Sequence, residues 1–222
     1  MITLLRAATM LLPWSLRRRL LSAAFGYELH DTSYIGFSWM FPRRLRLGPY
    51  ARIGHGNVCY GLDDVCLEDH SIIGSFNWIT GLSSQDPSPF FVDEHDRIAS
   101  FRLGRHAAVT SRHFIDCTRR VDVGAYTTIG GVRTALMTHE IDVRTNRQVS
   151  RGIQVGEYCY LGTCCTLLPG AVVPARCVVG AGALVRAGLH EEQRLYAGVP
   201  ARSAGEVPDG SRYFTRSRGF VF

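Results

Sequence analysis

From Val155 an aliphatic residue returns at every sixth position, through Leu161, Leu167, Val173, Val179 and Val185, without a break. A period of six fits neither the 3.6 residues of an α-helix nor the alternation of a long strand. It suits a solenoid of triangular section, in which each short flat face turns one aliphatic residue inward. Cys159, Cys165, Ala171, Cys177 and Ala183 place a small residue four positions after the aliphatic, where a tight corner leaves little room. Gly156, Gly162 and Gly180 follow their aliphatics and permit the corner backbone.

The same frame runs back through Leu47, Ile53 and Cys59, then Leu67, Ile73 and Ile79, then Leu103, Val109 and Ile115, then Val123, Ile129 and Ala135. Slips of two residues separate Cys59 from Leu67 and Ile115 from Val123, so Tyr50 to Gly74 echoes His106 to Gly130 at an offset of 56 (115 − 59). Between Ile79 and Leu103 the frame advances 24 residues instead of six, an insertion of 18; between Ala135 and Val155 it advances 20, an insertion of 14. Both insertions leave the third face of their coil, so both loops should emerge at one edge. Loops held on a rigid scaffold are where chemistry tends to sit.

The chain therefore divides into a partly helical N-terminal extension over 1–45, a solenoid over 46–188 with inserted loops at 82–101 and 136–152, and a C-terminal segment over 189–222. At 222 residues one architecture should account for most of it. A formal charge of +6 suits an anionic ligand, and no interleaving of aromatic and basic residues points to nucleic acid. The seven cysteines, an odd number mostly at the small-residue position, read as buried reduced thiols of a cytoplasmic protein. In residues 1–25, Leu4, Leu5, Leu11, Leu12, Trp14, Leu16, Leu20 and Leu21 surround Arg17, Arg18 and Arg19. No apolar run there approaches the roughly 18 residues of a membrane span, and the arginines follow the apolar stretch instead of preceding it, unlike a secretory signal. Pro13 can open an amphipathic helix that either plugs the solenoid's end or makes a peripheral membrane contact.

The run V-G-E-Y-C-Y-L-G-T-C-C-T-L-L-P-G-A-V-V-P-A-R-C-V-V-G-A-G-A-L-V is similar to the hexapeptide-repeat acyltransferases. The likeness covers residues 46–202 and implies an all-β fold, a left-handed parallel β-helix; the handedness comes from the resemblance, not from the period. In the sugar and xenobiotic O-acetyltransferases of that family a T-H or S-H dipeptide lies in a loop before the regular coils, and L-M-T-H-E-I-D puts His139 in that place. The residue type suits the task, because attack of a hydroxyl on a thioester needs a base that takes a proton near neutral pH. By the repeat frame Asp116 stacks beneath Leu136 and is the first candidate to orient His139, with Glu140 and Asp142 as alternatives. His113, Asn77 and Trp78 lie near the loop edge and are candidates for the acceptor site.

The resemblance further implies acetyl-CoA as acyl donor with no metal. Y-L-G-T stands where the family has W-I-G-S, which places Tyr160, Gly162 and Thr163 beside the thioester, with the Thr163 amide facing the developing oxyanion. Ala181 in V-G-A-G-A would border the pantetheine arm, V-R-A offers Arg186 where relatives often have V-T-K, and A-G-V-P-A-R sets Arg202 near the CoA phosphates. The family's CoA grooves lie between adjacent β-helices, which implies a homotrimer. The segment T-S-R-H-F-I-D-C-T followed by T-H-E-I-D is similar to transferases of polysaccharide gene neighbourhoods, so the implied acceptor is a hydroxyl of a sugar or polysaccharide precursor. Two other functions fit the scaffold. One is a non-catalytic assembly scaffold or nucleotide-sugar binder. The other is a γ-type carbonic anhydrase with zinc on three histidines, for which His106 and His113, seven apart, have the wrong spacing.

Overall fold

The computed structural model describes residues 2–219 and 221. Met1, Phe220 and Phe222, at the ends of the N-terminal extension and the C-terminal tail, lie outside the described residues, as do the side chains of Leu4 and Leu5.

Each coil pairs in parallel with the coils above and below it, building three sheets of seven, nine and seven strands that form faces A, B and C of a prism. The fold is a left-handed parallel β-helix. Strand register puts the sixth-position residues directly over one another. Face A stacks Leu29, Leu47, Leu67, Leu103, Val123, Val155 and Val173. Face B stacks Ile35, Ile53, Ile73, Val109, Ile129, Leu161 and Val179. Face C stacks Met40, Cys59, Ile79, Ile115, Leu136, Leu167 and Val185. These columns, nearly all fully buried, are the core.

One member of the frame shifts. Ile115 lies opposite Leu136, not Ala135, and Leu136 is the buried residue. The coil between them carries an additional residue at the corner where Gly131 and Arg133 take positive φ values of 67° and 61°. Asp116 accordingly lies beneath Met137 instead of Leu136, one position nearer His139 than the repeat suggests. The solenoid also begins lower in the chain than residue 46: strands Glu28–Leu29, Tyr34–Ile35 and Trp39–Met40 form a first coil.

Helices Ile2–Thr9 (α1) and Trp14–Phe25 (α2) precede that coil. The end of a β-helix leaves unpaired backbone groups that need partners. Buried Arg17 on α2 donates to Gly36 O and Ser38 O, both at 2.8 Å, and Trp14 Nε1 donates to Ser33 O at 2.8 Å. The helix therefore caps the lower end, while Leu11 and Leu16 face outward. Among the described residues no helix is long and apolar enough to cross a membrane.

All seven cysteines are unpaired. Five are buried, and burial pushes the Cys59 and Cys159 thiols up to about 12. Cys66 is half-buried and Cys164 is exposed at a corner, so the buried reading does not extend to these two. Along the corner between faces A and B, Tyr50, His70, His106, Tyr126 and Tyr158 stack ring on ring at 4.6–5.0 Å. The C-terminal tail folds back onto this ladder, with the Arg216 guanidinium 3.7 Å from the centre of the Tyr213 ring and the Tyr213 hydroxyl donating to Cys159 O at 2.9 Å.

Candidate active site

Both insertions leave the corner between faces C and A. The first, 81–99, is irregular. The second is not a loop but a β-hairpin, with His139–Asp142 pairing antiparallel to Arg147–Ser150. Strand alternation puts His139 and Ile141 on one face of the hairpin and Glu140 and Asp142 on the other. Glu140 turns to Arg151, and Asp142 accepts the Arg144 amide at 2.9 Å. Neither carboxylate serves His139.

Asp116 does. Its side chain is buried, and Oδ2 accepts His139 Nδ1–H at 2.8 Å. The same oxygen accepts the Thr138 amide (2.8 Å) and hydroxyl (2.7 Å), while Oδ1 accepts the Thr118 amide (3.0 Å) and hydroxyl (2.7 Å). Burial raises the Asp116 carboxyl, but the hydrogen bonds from His139, Thr138 and Thr118 outweigh it and bring it down to about 2. The carboxylate thus stays ionised, fixes the Nδ1–H tautomer and lifts the His139 imidazole above its ordinary value. Nε2 has no partner among the described residues, and the His139 side chain is 36% exposed, so its lone pair is open to a reacting group.

The two walls of this corner are tied together. Glu94 accepts the Ser150 amide at 2.7 Å and pairs with Arg119 at 3.3 Å; Arg119 also pairs with Asp96 at 2.5 Å. Buried Arg97 donates to Thr118 O at 2.9 Å and to Leu82 O. Phe91 meets the His139 ring edge-on at 6.1 Å. The hexapeptide frame gave no signal for these loop residues. Thr118 and Thr138 were legible in principle, since Asp-x-Thr is an Asx-turn pattern and Thr138 belongs to the T-H pair.

Asn77 and His113 lie elsewhere. Both are buried at the inside of the corner between faces B and C, in a polar ladder that runs up the core. Asn57 Oδ1 accepts the Asn77 amide at 2.9 Å, Asn77 Oδ1 accepts the His113 amide at 2.9 Å, and His113 Nδ1 accepts the Thr134 amide at 3.1 Å. His113 Nε2 bonds the Thr110 hydroxyl at 2.8 Å, and burial holds this ring neutral down to about 4. With every polar atom of the ring engaged inside the protein, neither His113 nor Asn77 can reach an acceptor. Trp78 is half exposed on the outside of face C, away from the hairpin. His95, in the first loop, is exposed and bonds no carboxylate among the described residues.

The residues ascribed to the donor gather at the outside of the B–C corner and beside it. Tyr160 stands on outer face B, 40% exposed, edge-on to Tyr213 at 6.2 Å. Its ring crosses Gly130, where a Cβ would come within 2.8 Å of the ring. Gly162, Thr163 and Ala181 follow around the corner; a Cβ on Gly162 would lie 2.8 Å from the Ala181 backbone nitrogen. Corner amides below are satisfied by the side chain one coil up: Phe37 N by His55, His55 N by Ser75, Ser75 N by Ser111, and Val132 N by Thr163. Ala181 has no such acceptor, and the Thr163 amide has no partner among the described residues. Arg186 is exposed above the C–A corner and Arg202 on the edge strand of face B; neither forms an ion pair among the described residues. Within one chain, His139 and Thr163 occupy different corners, separated by the width of face C.

Solved structures share this fold. The N-acyltransferase AntD of Bacillus cereus, in complex with dTDP and 3-hydroxybutyryl-CoA, gives a TM-score of 0.53 at 13% identity, covering 86% of this chain and 88% of its own. A mutant of AntD with dTDP-4-amino-4,6-dideoxyglucose and coenzyme A gives 0.52 at 13% identity, covering 86% and 89%. A hexapeptide-repeat containing acetyltransferase, VCA0836 of Vibrio cholerae, gives 0.48 at 16% identity, covering 92% and 88%. At such identities the likeness is one of fold. No protein-family model and no curated protein matches the sequence.

The Asp116 contacts set a measurable property of His139. In an NMR titration the His139 imidazole should lose its proton above the ordinary histidine value of 6.5, because the charged form has the carboxylate as partner. Asp116→Asn removes that partner and leaves burial to favour the neutral ring, so the titration should move to lower pH. An unchanged titration in the variant would mean that Asp116 does not govern the ring.

Proposed function

We propose that the protein is a CoA-dependent O-acyltransferase, moving an acetyl group from acetyl-CoA to a hydroxyl of a sugar or polysaccharide precursor with His139 as general base. The observation that carries this reading is the buried Asp116 carboxylate on His139 Nδ1, which leaves Nε2 free. An imidazole oriented in this way is the partner that a weakly acidic hydroxyl needs.

In the reaction, Nε2 removes the hydroxyl proton as the oxygen attacks the thioester carbonyl carbon. Asp116 stabilises the imidazolium so formed without taking its proton. The tetrahedral oxyanion is stabilised by the unpartnered Thr163 amide. When the intermediate collapses, the carbon–sulfur bond breaks, and Nε2–H returns the proton to the leaving thiolate; the products are an acetyl ester and free CoA. Tyr160, Gly162 and Ala181 border the donor, and Arg186 and Arg202 are cations available to the CoA phosphates.

Because His139 and Thr163 stand at opposite ends of face C, the reading places the reaction between chains of a homotrimer, where a neighbour's donor corner meets this chain's base. Outer face C supports this. Tyr60, Trp78 and Phe114 expose 48%, 50% and 41% of their surface there, and Phe37 and Phe76 extend the apolar strip around the B–C corner. The seven unpaired thiols support a reducing, cytoplasmic setting.

His139→Ala should lower kcat by about 10² to 10⁴, with the circular dichroism spectrum unchanged. In the wild type the rate should rise with pH and level off above an apparent pKa higher than 6.5, since the protonated ring cannot accept a proton. Full activity in a folded His139→Ala protein would remove the base from the mechanism. Light scattering tests the assembly. Trp78→Glu should convert a trimer into a 24.7 kDa species that has lost transfer activity, whereas a fully active wild-type monomer would contradict the shared site.

A further inference from the structure

Beside His139 the two insertions enclose a groove of about 540 Å³ that the mechanism above does not use. One wall is Pro89, Phe90, Phe91 and Val92 from the first loop; the other is the hairpin, where Ile141 stands on the same face as His139 with Gln148 as its cross-strand partner. Phe90, Val92 and Ile141 line it and expose 49%, 57% and 64% of their surface. Single exposed apolar residues are ordinary, but an apolar loop wall and Ile141 lining one groove next to a candidate base make a binding surface.

The groove is held open in advance of any ligand. Phe91, a bulky residue, sits at a φ of 59°, a conformation that costs energy unless its surroundings impose it. Arg97 backs the ring: its guanidinium lies 4.9 Å from the centre of the Phe91 ring, while its terminal nitrogens donate to Leu82 O and Thr118 O. Thr118 in turn bonds Asp116. The aromatic wall and the base are thus positioned by one connected set of contacts, and Glu94 on Ser150 fixes the opposite wall to it.

The charges of the groove discriminate between acceptors. Its lining holds Asp93, Glu94 and Arg147 as ionisable groups. Arg147 is already paired with Asp93, and Glu94 is engaged by Arg119 and Ser150. Among the described residues no unpaired cation lines the groove, so a diphosphate there would have to displace Asp93 from Arg147 and lie beside two carboxylates. A nucleoside-diphosphate sugar, the ligand class present in an AntD complex, does not suit this lining.

We propose that the hydroxyl acceptor is an uncharged glycoside bearing an apolar chain or ring, with the apolar part between the 81–99 loop and the 139–150 hairpin and the hydroxyl at His139 Nε2. This rests on the acyl-transfer reading, and it narrows the acceptor from sugars in general to neutral amphipathic ones. Phe91 is a positioning residue in this arrangement, and Ile141 sets specificity.

The test compares acetyl transfer from acetyl-CoA to glucose, octyl β-glucoside, phenyl β-glucoside and UDP-glucose, with the octyl compound kept below its micellar concentration. The octyl or the phenyl glucoside should exceed glucose in kcat/KM by about tenfold or more, and UDP-glucose should fall below glucose. Which of the two leads tells a chain from a ring. Ile141→Ser, on an exposed hairpin position, should collapse the ratio between the glucoside and glucose. Binding of octyl glucoside by calorimetry, to the wild type and to Ile141→Ser, reads the groove without catalysis. Binding that weakens in the variant supports the proposal even if no acceptor is turned over, an outcome that would sink the acyl-transfer reading instead. Preference for UDP-glucose, equal binding by wild type and variant, or no binding to either would overturn it.

Discussion

Everything in this molecule depends on the requirement that each coil lie in register on the next. A coil closes only if each of its three faces turns one residue into the shared interior, and burying an aliphatic side chain there is worth about 1.5–3 kcal/mol. The columns through Leu161, Leu167 and Val173 meet that condition at every level. Backbone hydrogen bonds to the neighbouring coils follow from the same stacking. Extra chain can then be accommodated only at a corner. Both long insertions leave from one corner, and that is why a histidine in the second meets an aspartate in the coil beneath it.

The chemistry of that corner comes from a competition around Asp116. Burial alone would favour the neutral acid. Five donors from Thr118, Thr138 and His139 reverse the balance and keep it charged. The ionised carboxylate then decides which ring nitrogen of His139 carries the proton and how strongly the other attracts one. The same Thr118 that bonds Asp116 offers its carbonyl to Arg97, so the wall of the neighbouring groove and the orientation of the base are set together.

The core was legible because a period of six states its own geometry. Leu47, Ile53, Leu103, Val109 and their counterparts all face inward as the frame requires. The exception, Ala135, arose because a corner widened by one residue is silent in a pattern of aliphatics, and the shift passes the inward position to Leu136. The first coil was hidden by Met40 in the aliphatic column and by irregular spacing below residue 46. Asn77 and His113 looked available to a ligand because sequence does not reveal that a small-residue corner position is turned inside; there their polar atoms serve the backbone of adjacent coils. The Asp116–His139 contact was reached through the repeat offset, but the loop contacts of Glu94, Arg97 and Phe91 depend on how two insertions fold on each other, which no local pattern records.

Chemical rescue tests most directly whether His139 acts as the base. In His139→Gly, with the side chain removed, free imidazole supplied in solution should restore acetyl transfer in a saturable manner. The restored rate should rise with pH through the pKa of the added imidazole rather than that of a protein group. The same imidazole should leave the wild-type rate unchanged. A folded His139→Gly protein that transfers acetyl groups at the wild-type rate without imidazole, or one that binds acetyl-CoA and acceptor yet gains nothing from it, would contradict the account.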